Sequence, residues 1–170
     1  MADRGLTGIL LVGGSSSRFG SPKALARFEG ETLGERAWRL LGEVCEQRIA
    51  VGRGDGLPFP ALSDEGTGPV AAIAAGLGGA EHEVAVVVPV DMPLLTADAL
   101  RLLADACRDA AVAQAGPLPC AVARRTLPAF EAGERRLRTV LAGLDTARVE
   151  FDERLLANVN TQADLDTLAP

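Results

Sequence analysis

The chain is poor in the side chains that do most acid–base and metal chemistry. Its 170 residues hold one histidine, His82, in Ala-Glu-His-Glu-Val. It sits among charges between two structured segments and reads as a solvated loop residue. With a single histidine, Ser-His-Asp hydrolysis, Cys-His chemistry and His-rich metal sites are excluded. The three cysteines, Cys45, Cys107 and Cys120, are far apart and form no Cys-x-x-Cys pair. Neither a zinc site nor a disulfide framework is indicated, and reduced, mostly buried thiols of a cytosolic protein are expected. No segment approaches the roughly 18 apolar residues that span a bilayer. The opening Met-Ala-Asp-Arg leads into an apolar run too short for a signal peptide. A cytoplasmic location with no membrane partner is therefore expected. The net charge of −6 excludes a broad nucleic-acid surface but leaves room for one small basic pocket. Hydrophobic content of 48% with 24% charged residues argues for a folded chain. The length fits a single domain over residues 1–170.

Lysine is the scarcest charge. Of the 17 basic residues only Lys23 is a lysine, and every other is arginine. A lysine kept in such a chain is one that arginine cannot replace. It supplies a compact point charge where arginine supplies a planar fork. Lys23 closes a Gly/Ser-rich run, Leu-Leu-Val-Gly-Gly-Ser-Ser-Ser-Arg-Phe-Gly-Ser-Pro-Lys, over residues 10–23. The run is not a dinucleotide fingerprint, because Gly-x-Gly-x-x-Gly is missing. Nor is it a Walker loop, because Ser21-Pro22 separates Gly20 from the lysine. It offers Gly13 and Gly14 for close backbone approach, the N–H groups of Ser15 to Ser17, and the cations Arg18 and Lys23. Together these make an anion cradle suited to phosphate.

The hydrophobic pattern places strands at 6–12, 48–52 and 84–89, with a short one near 61–62 and weaker ones at 111–115, 120–123 and 148–150. Helices are expected at 33–46, 70–77, 127–131, 137–144 and 162–168, and another begins at a Thr96 cap. Alternation of strand and helix predicts an α/β fold, a doubly wound and mostly parallel sheet with helices on both faces. Ligands bind such sheets at the carboxyl ends of the strands. The Gly13–Lys23 loop and Val90-Asp91-Met92-Pro93 should then meet in one crevice.

Asp91 follows the most apolar run of the chain. A carboxylate there is costly unless it is paired or binds a cation. Thr96 is the better helix cap, so Asp91 is the candidate metal ligand, and a hard oxygen donor beside phosphates suits Mg²⁺. With no histidine base at hand, the chemistry that fits is nucleotidyl transfer to a phosphate acceptor. That reaction needs charge neutralisation and alignment rather than a strong base.

The motifs, in order, resemble those of the molybdenum cofactor guanylyltransferase family. Leu-Leu-Val-Gly-Gly-x-Ser-x-Arg-x-Gly-x-x-Lys resembles its signature loop. Gly68-Pro69-Val70-Ala71, Val90-Asp91-Met92-Pro93-Leu94-Leu95, Gly133-Glu134-Arg135-Arg136 and Asn158-Val159-Asn160-Thr161-x-x-Asp164-Leu165 resemble its later segments. The resemblance spans residues 7–168 and implies a Rossmann-like nucleotidyltransferase fold. It also implies the reaction: GTP and molybdopterin give the guanine dinucleotide cofactor and pyrophosphate. On that footing Lys23, Arg18 and Asp91 are catalytic, and Asp91 binds Mg²⁺. Leu11, Val12, Gly13, Gly14, Lys23, Asp64, Gly68 and Asp91 hold the nucleotide. Arg135, Arg136, Asn158 and Asn160 face the pterin, and Asn160 supports the metal. The partners implied are GTP, molybdopterin and the molybdoenzymes or chaperones that receive the product, with the enzyme as a monomer.

The chain departs from the family at Pro22, Ala72 and Pro89-Val90. A family asparagine after the second strand has no clear counterpart, since Ala50-Val51-Gly52-Arg53 occupies that region. These changes bear on the base more than on the chemistry. A cytidylyltransferase acting on molybdopterin or another small phosphorylated acceptor, and a non-catalytic nucleotide-binding or cofactor-delivery protein, remain as alternatives.

Overall fold

A computed structural model describes residues 4–13, 22–64 and 67–170. The first strand, β1 (Leu6–Leu11), is followed by a small hairpin of β2 (Arg27–Phe28) and β3 (Glu31–Thr32). Its two turn residues, Glu29 and Gly30, both have positive φ, the geometry that tight hairpins need. Helix α1 (Leu33–Val44) opens with a capping box in which Thr32 and Glu35 each accept the other's backbone N–H. Next come β4 (Gln47–Val51), β5 (Ala61–Leu62), α2 (Pro69–Gly78) and β6 (Val84–Pro89). Helix α3 (Ala97–Ala106) starts at Thr96, whose hydroxyl accepts from Ala99 N. Strands β7 (Ala110–Ala113) and β8 (Cys120–Ala123) lead to the short helices α4 (Leu127–Phe130) and α5 (Leu137–Ala142). Strand β9 (Thr146–Val149) and helix α6 (Gln162–Leu168) follow.

Seven strands form one sheet in the order β5-β4-β1-β6-β8-β7-β9. Its pairings are parallel except on both sides of β8, which runs antiparallel to β6 and β7. The expected strand at 111–115 stops at Ala113, because the Gln114 side chain turns to Phe151, donating to its carbonyl and accepting from its N–H. The last strand covers Thr146–Val149 rather than 148–150, in register with Ala110–Ala113.

Side chains alternate across the sheet, and each face has its own core. Leu10, Ala50, Val86, Val88, Ala111 and Ala121 pack under α1, α3 and α6 through Leu41, Leu100, Leu103 and Leu165. Ile9, Val51, Ala85, Val87, Val112 and Val122 pack under α2, α4 and α5 through Ile73, Leu77, Phe130 and Leu141. Each such aliphatic chain contributes about 1.5–3 kcal/mol by leaving water. A Cβ on Gly76 would come 2.7 Å from Ile9 Cδ1, so this glycine sets how closely α2 lies on the sheet. Among the described residues no helix is long and apolar enough to cross a membrane.

Candidate active site

The carboxyl ends of β5, β4, β1 and β6 lie side by side and form one wall of a cleft of about 760 Å³. Its lining includes Leu11 and Gly13 after β1, Gly52 and Arg53 after β4, Ser63 and Asp64 after β5, and Pro89 and Asp91 after β6. Gly68 and Pro69, at the start of α2, close another side. Gly68 holds a φ of 106°, and a Cβ there would meet nothing within 4 Å. Glycine is used at Gly68 for its backbone conformation, while the space beside it stays open. The amide-rich end of α2 faces the cleft with its partial positive charge.

The floor between β1 and β4 is two glycines in contact. Gly52 has a φ of 119°, and a Cβ on it would stand 2.5 Å from Gly13 N. Val12 N donates to Val51 O, and Gly52 N donates to Leu62 O, so the ladder continues to the lip of the cleft.

Three remote segments converge at the β6 end. Lys23 begins a single 3₁₀ turn, Lys23–Leu25, held by Ala24, which is 1% exposed, and by Leu33 N donating to Ala26 O. Its Nζ lies 3.4 Å from Asp91 Oδ2 and 3.3 Å from Asn160 Oδ1. Asp91 is gripped by buried neighbours, Val90 and Met92, and its carbonyl accepts from Val159 N at 2.8 Å. Asn160 precedes the capping box of α6, and its N–H donates to Asp164 Oδ2 at 2.7 Å. Strand β6, the Lys23 turn and the α6 cap thus fix one carboxylate, one ammonium and one amide oxygen at a single point. The Lys23–Asp91 contact is looser than the roughly 2.7–2.9 Å of a tight charge-assisted bond.

The other carboxylate oxygen tests the metal expectation. Asp91 Oδ1 is buried and has no hydrogen-bond partner among the described residues. An ionised oxygen left so is costly unless something binds it. A hard cation fits, and Asn160 Oδ1, which shares Lys23 Nζ with Asp91, is a second hard oxygen at the same cluster. Among the described residues no group of three or more His, Cys, Asp or Glu forms an all-protein cage. Mg²⁺ needs none, since it binds through one or two carboxylates and completes its shell with phosphates and water.

The remaining expected residues divide. Strand β1 ends at Leu11, one residue short of the expected 12, and Val12, 6% exposed, and Gly13 follow it; Leu11 and Gly13 line the cleft. Asp64 and Gly68 line the cleft. Gly14 and Arg18 lie outside the described residues. Arg135 and Arg136 are exposed on the segment before α5 and are not in the cleft lining; Arg136 N donates to Glu134 Oε1. Asn158 is exposed beside the fully buried Val159. Arg53, Ser63 and Leu118 line the cleft without having been expected there as functional residues, and Ala72, expected to bear on the base, lines it too. Arg53 was legible: the rule applied to the residues after β1 and β6 applies equally after β4. His82 is partly buried against Gly5, and its N–H donates to Thr7 Oγ1, at the amino end of the sheet away from the cleft.

Fold and site together define a nucleotidyltransferase-type α/β protein, with a nucleotide-sized cleft across the strand ends and a Lys–Asp–Asn cluster at one side. Residues 8–149 match the MobA-like NTP transferase domain, and the chain belongs to that family. It is 33% identical to the molybdenum cofactor guanylyltransferase of Burkholderia vietnamiensis, over 96% of this chain and 95% of the relative. It is 35% identical to a probable molybdenum cofactor guanylyltransferase of Mycobacterium marinum, over 94% and 91%. The crystal structure of molybdopterin-guanine dinucleotide biosynthesis protein A from Archaeoglobus fulgidus has the same fold, with a TM-score of 0.78 and 24% identity over 95% of this chain and 96% of that one.

Proposed function

We propose that the chain transfers GMP from GTP to the terminal phosphate of molybdopterin, forming the guanine dinucleotide cofactor and releasing pyrophosphate. Family membership supports the reaction class. The observation that carries the reading to this chain is the meeting of Lys23, Asp91 and Asn160 at the β6 end of the cleft. An oxygen of the acceptor phosphate attacks the α-phosphorus of GTP. The bond from that phosphorus to the oxygen bridging to the β-phosphate breaks, and pyrophosphate leaves with the electron pair. The acceptor is already an anion, so no protein base has to take a proton. His82, at the other end of the sheet, has no part in this.

Lys23 serves as the mobile cation. In the free protein it is shared between Asp91 and Asn160, and in the reaction it moves onto the triphosphate and offsets the charge that gathers on the leaving pyrophosphate. Asp91 Oδ1, with Asn160 beside it, would hold Mg²⁺, which when bound neutralises phosphate charge and aligns the triphosphate. Asn160 keeps Lys23 from lying wholly on Asp91. Arg18 would add a second cation from the Gly/Ser-rich loop. Arg135, Arg136 and Asn158 are exposed and available to a large second substrate arriving from outside the cleft. On this reading the enzyme works as a cytoplasmic monomer and passes its product to molybdoenzymes or their chaperones.

The test is pyrophosphate release and product mass with molybdopterin, Mg²⁺ and either GTP or CTP. Turnover with GTP is expected, and Lys23→Ala should abolish it while the circular dichroism spectrum is unchanged. Lys23→Arg should also fall well below the wild type, since a planar fork does not reproduce the point charge. Turnover with CTP alone would replace the guanylyl reading with a cytidylyl one. No turnover with either nucleotide, although a nucleotide binds, would favour a delivery role.

A further inference from the structure

Resting on the guanylyl reading, we infer that Arg53 is the residue that reads guanine. It donates its guanidinium fork to N7 and O6 of the base, while the Asp64 carboxylate accepts from N1–H and the 2-amino group. The cleft is polarised along the strand order. Lys23, Asp91 and Asn160 gather at its β6 end. Arg53 and Asp64 stand at its β4 and β5 end. Two strand spacings, roughly 10 Å, separate β4 from β6. Lys23 draws the phosphates to the β6 end, which leaves the β4 and β5 end, lined by Arg53 and Asp64, for the base.

Arg53 brings a donor fork and Asp64 an acceptor pair to the lining of this end. Asp64 Oδ2 and Arg53 N both fall within 4.0 Å of the point where a Cβ on Gly13 would stand, so the two residues flank the same stretch of floor. Guanine matches this pair. It presents two adjacent acceptors, O6 and N7, which arginine binds with both arms, and two adjacent donors, which a carboxylate accepts. Adenine presents a donor amine where guanine has O6, and cytosine has no N7. Arg53 is also free to act. Arg36, Arg39, Arg101, Arg108 and Arg125 each pair with a carboxylate, whereas Arg53 makes no ion pair with a described residue. Its segment is already in place: Phe59 stacks on Trp38 at 4.2 Å, and Leu57 N donates to Gly54 O. The guanidinium therefore meets the base without first ordering its own loop.

The test is calorimetric titration of the intact protein, with Mg²⁺, by GTP, ATP and 7-deaza-GTP, which lacks only the N7 acceptor. The wild type should bind 7-deaza-GTP about tenfold more weakly than GTP, within the range for losing half of a bidentate contact. Arg53→Met should weaken GTP up to about a hundredfold and 7-deaza-GTP about tenfold, since the analogue has only the O6 bond left to lose, and so erase the gap between them. Arg53→Lys should not restore the gap, because a point charge cannot span both acceptors. Three results would overturn the inference: equal wild-type affinity for GTP and 7-deaza-GTP, equal weakening of GTP, 7-deaza-GTP and ATP in Arg53→Met, or full rescue by lysine. In each of these GTP still binds, so the functional reading survives. A wild type that binds CTP and no guanine nucleotide would overturn both.

Discussion

At the scale of single residues, the site turns on one carboxylate that the fold treats badly. Asp91 has one oxygen in a loose contact with Lys23 and the other buried without a partner among the described residues. Stability alone would not keep such a group. Asp91→Ala removes the orphaned oxygen along with the ion pair, and Lys23 keeps Asn160 as a partner. The loose pair itself is worth no more than about 1 kcal/mol, and an unsatisfied buried acceptor costs about 1–3 kcal/mol. The variant should therefore unfold at the same denaturant concentration as the wild type or higher, while turnover falls by at least about a hundredfold. Urea titration beside a pyrophosphate-release assay checks both. A marked loss of stability would mean that Asp91 is structural, and wild-type turnover would remove it from the site.

At the scale of elements, the caps connect secondary structure to chemistry. The box at the start of α6 does two things: Thr161 Oγ1 accepts from Asp164 N, and Asp164 Oδ2 accepts from both Thr161 N and Asn160 N. Thr161→Ala removes only the helix cap, at a cost of about 1 kcal/mol. Asp164→Ala removes a comparable cap and also the bond that holds Asn160 opposite Lys23. Both should lose stability, but turnover should drop several-fold only in Asp164→Ala. Equal turnover in the two variants would show that Asn160 needs no such positioning. Much of this was readable beforehand. The apolar run of β6, the Thr96 cap and the helix expected from 33 all survive in the fold, because propensity, pattern and packing agree there. Other features were hidden for physical reasons. Strands β2 and β3 are two residues each and carry no period. The reversal of β8 depends on which neighbours it finds, and its own apolar pattern is the same in either direction. Arg135 and Arg136 matched a motif, yet spacing along the chain does not reveal which edge of a sheet a loop will leave from.

At the scale of the whole molecule, the scarcity of groups that titrate above neutrality makes alkaline pH a clean probe. On the acid side, Glu31 is held below the usual carboxylate range by its hydrogen bond from Arg39, Glu46 by Leu6 N–H, and Asp109 by Asp145 N–H. These contributions are present near neutrality and fade as the pH falls through that range, and the groups are too exposed to dominate. The alkaline side is simpler. There is no tyrosine and only one lysine, and arginine keeps its proton. What remains is three thiols. Burial pushes Cys45 up to about 12 and Cys107 up to about 11 from an ordinary 9.0, and the fully buried Cys120 is raised as well. Above pH 9 the unfolded chain releases thiol protons that the folded chain retains. Stability is thus fully present below pH 9 and declines as the pH climbs toward 12. For Cys120, sealed between the sheet and the helices on its α2 side, the slope should reach about 1.4 kcal/mol per pH unit. Melting temperatures between pH 8 and 10.5 should fall steeply in the wild type and less steeply in Cys120→Ala, whose melting temperature is lower at pH 8 through the cavity it leaves. The buried thiols of Cys45 and Cys120 should also resist a disulfide reagent at pH 8 and react fully once denatured. Parallel pH profiles in the two proteins would show that something other than the buried thiol sets the alkaline limit.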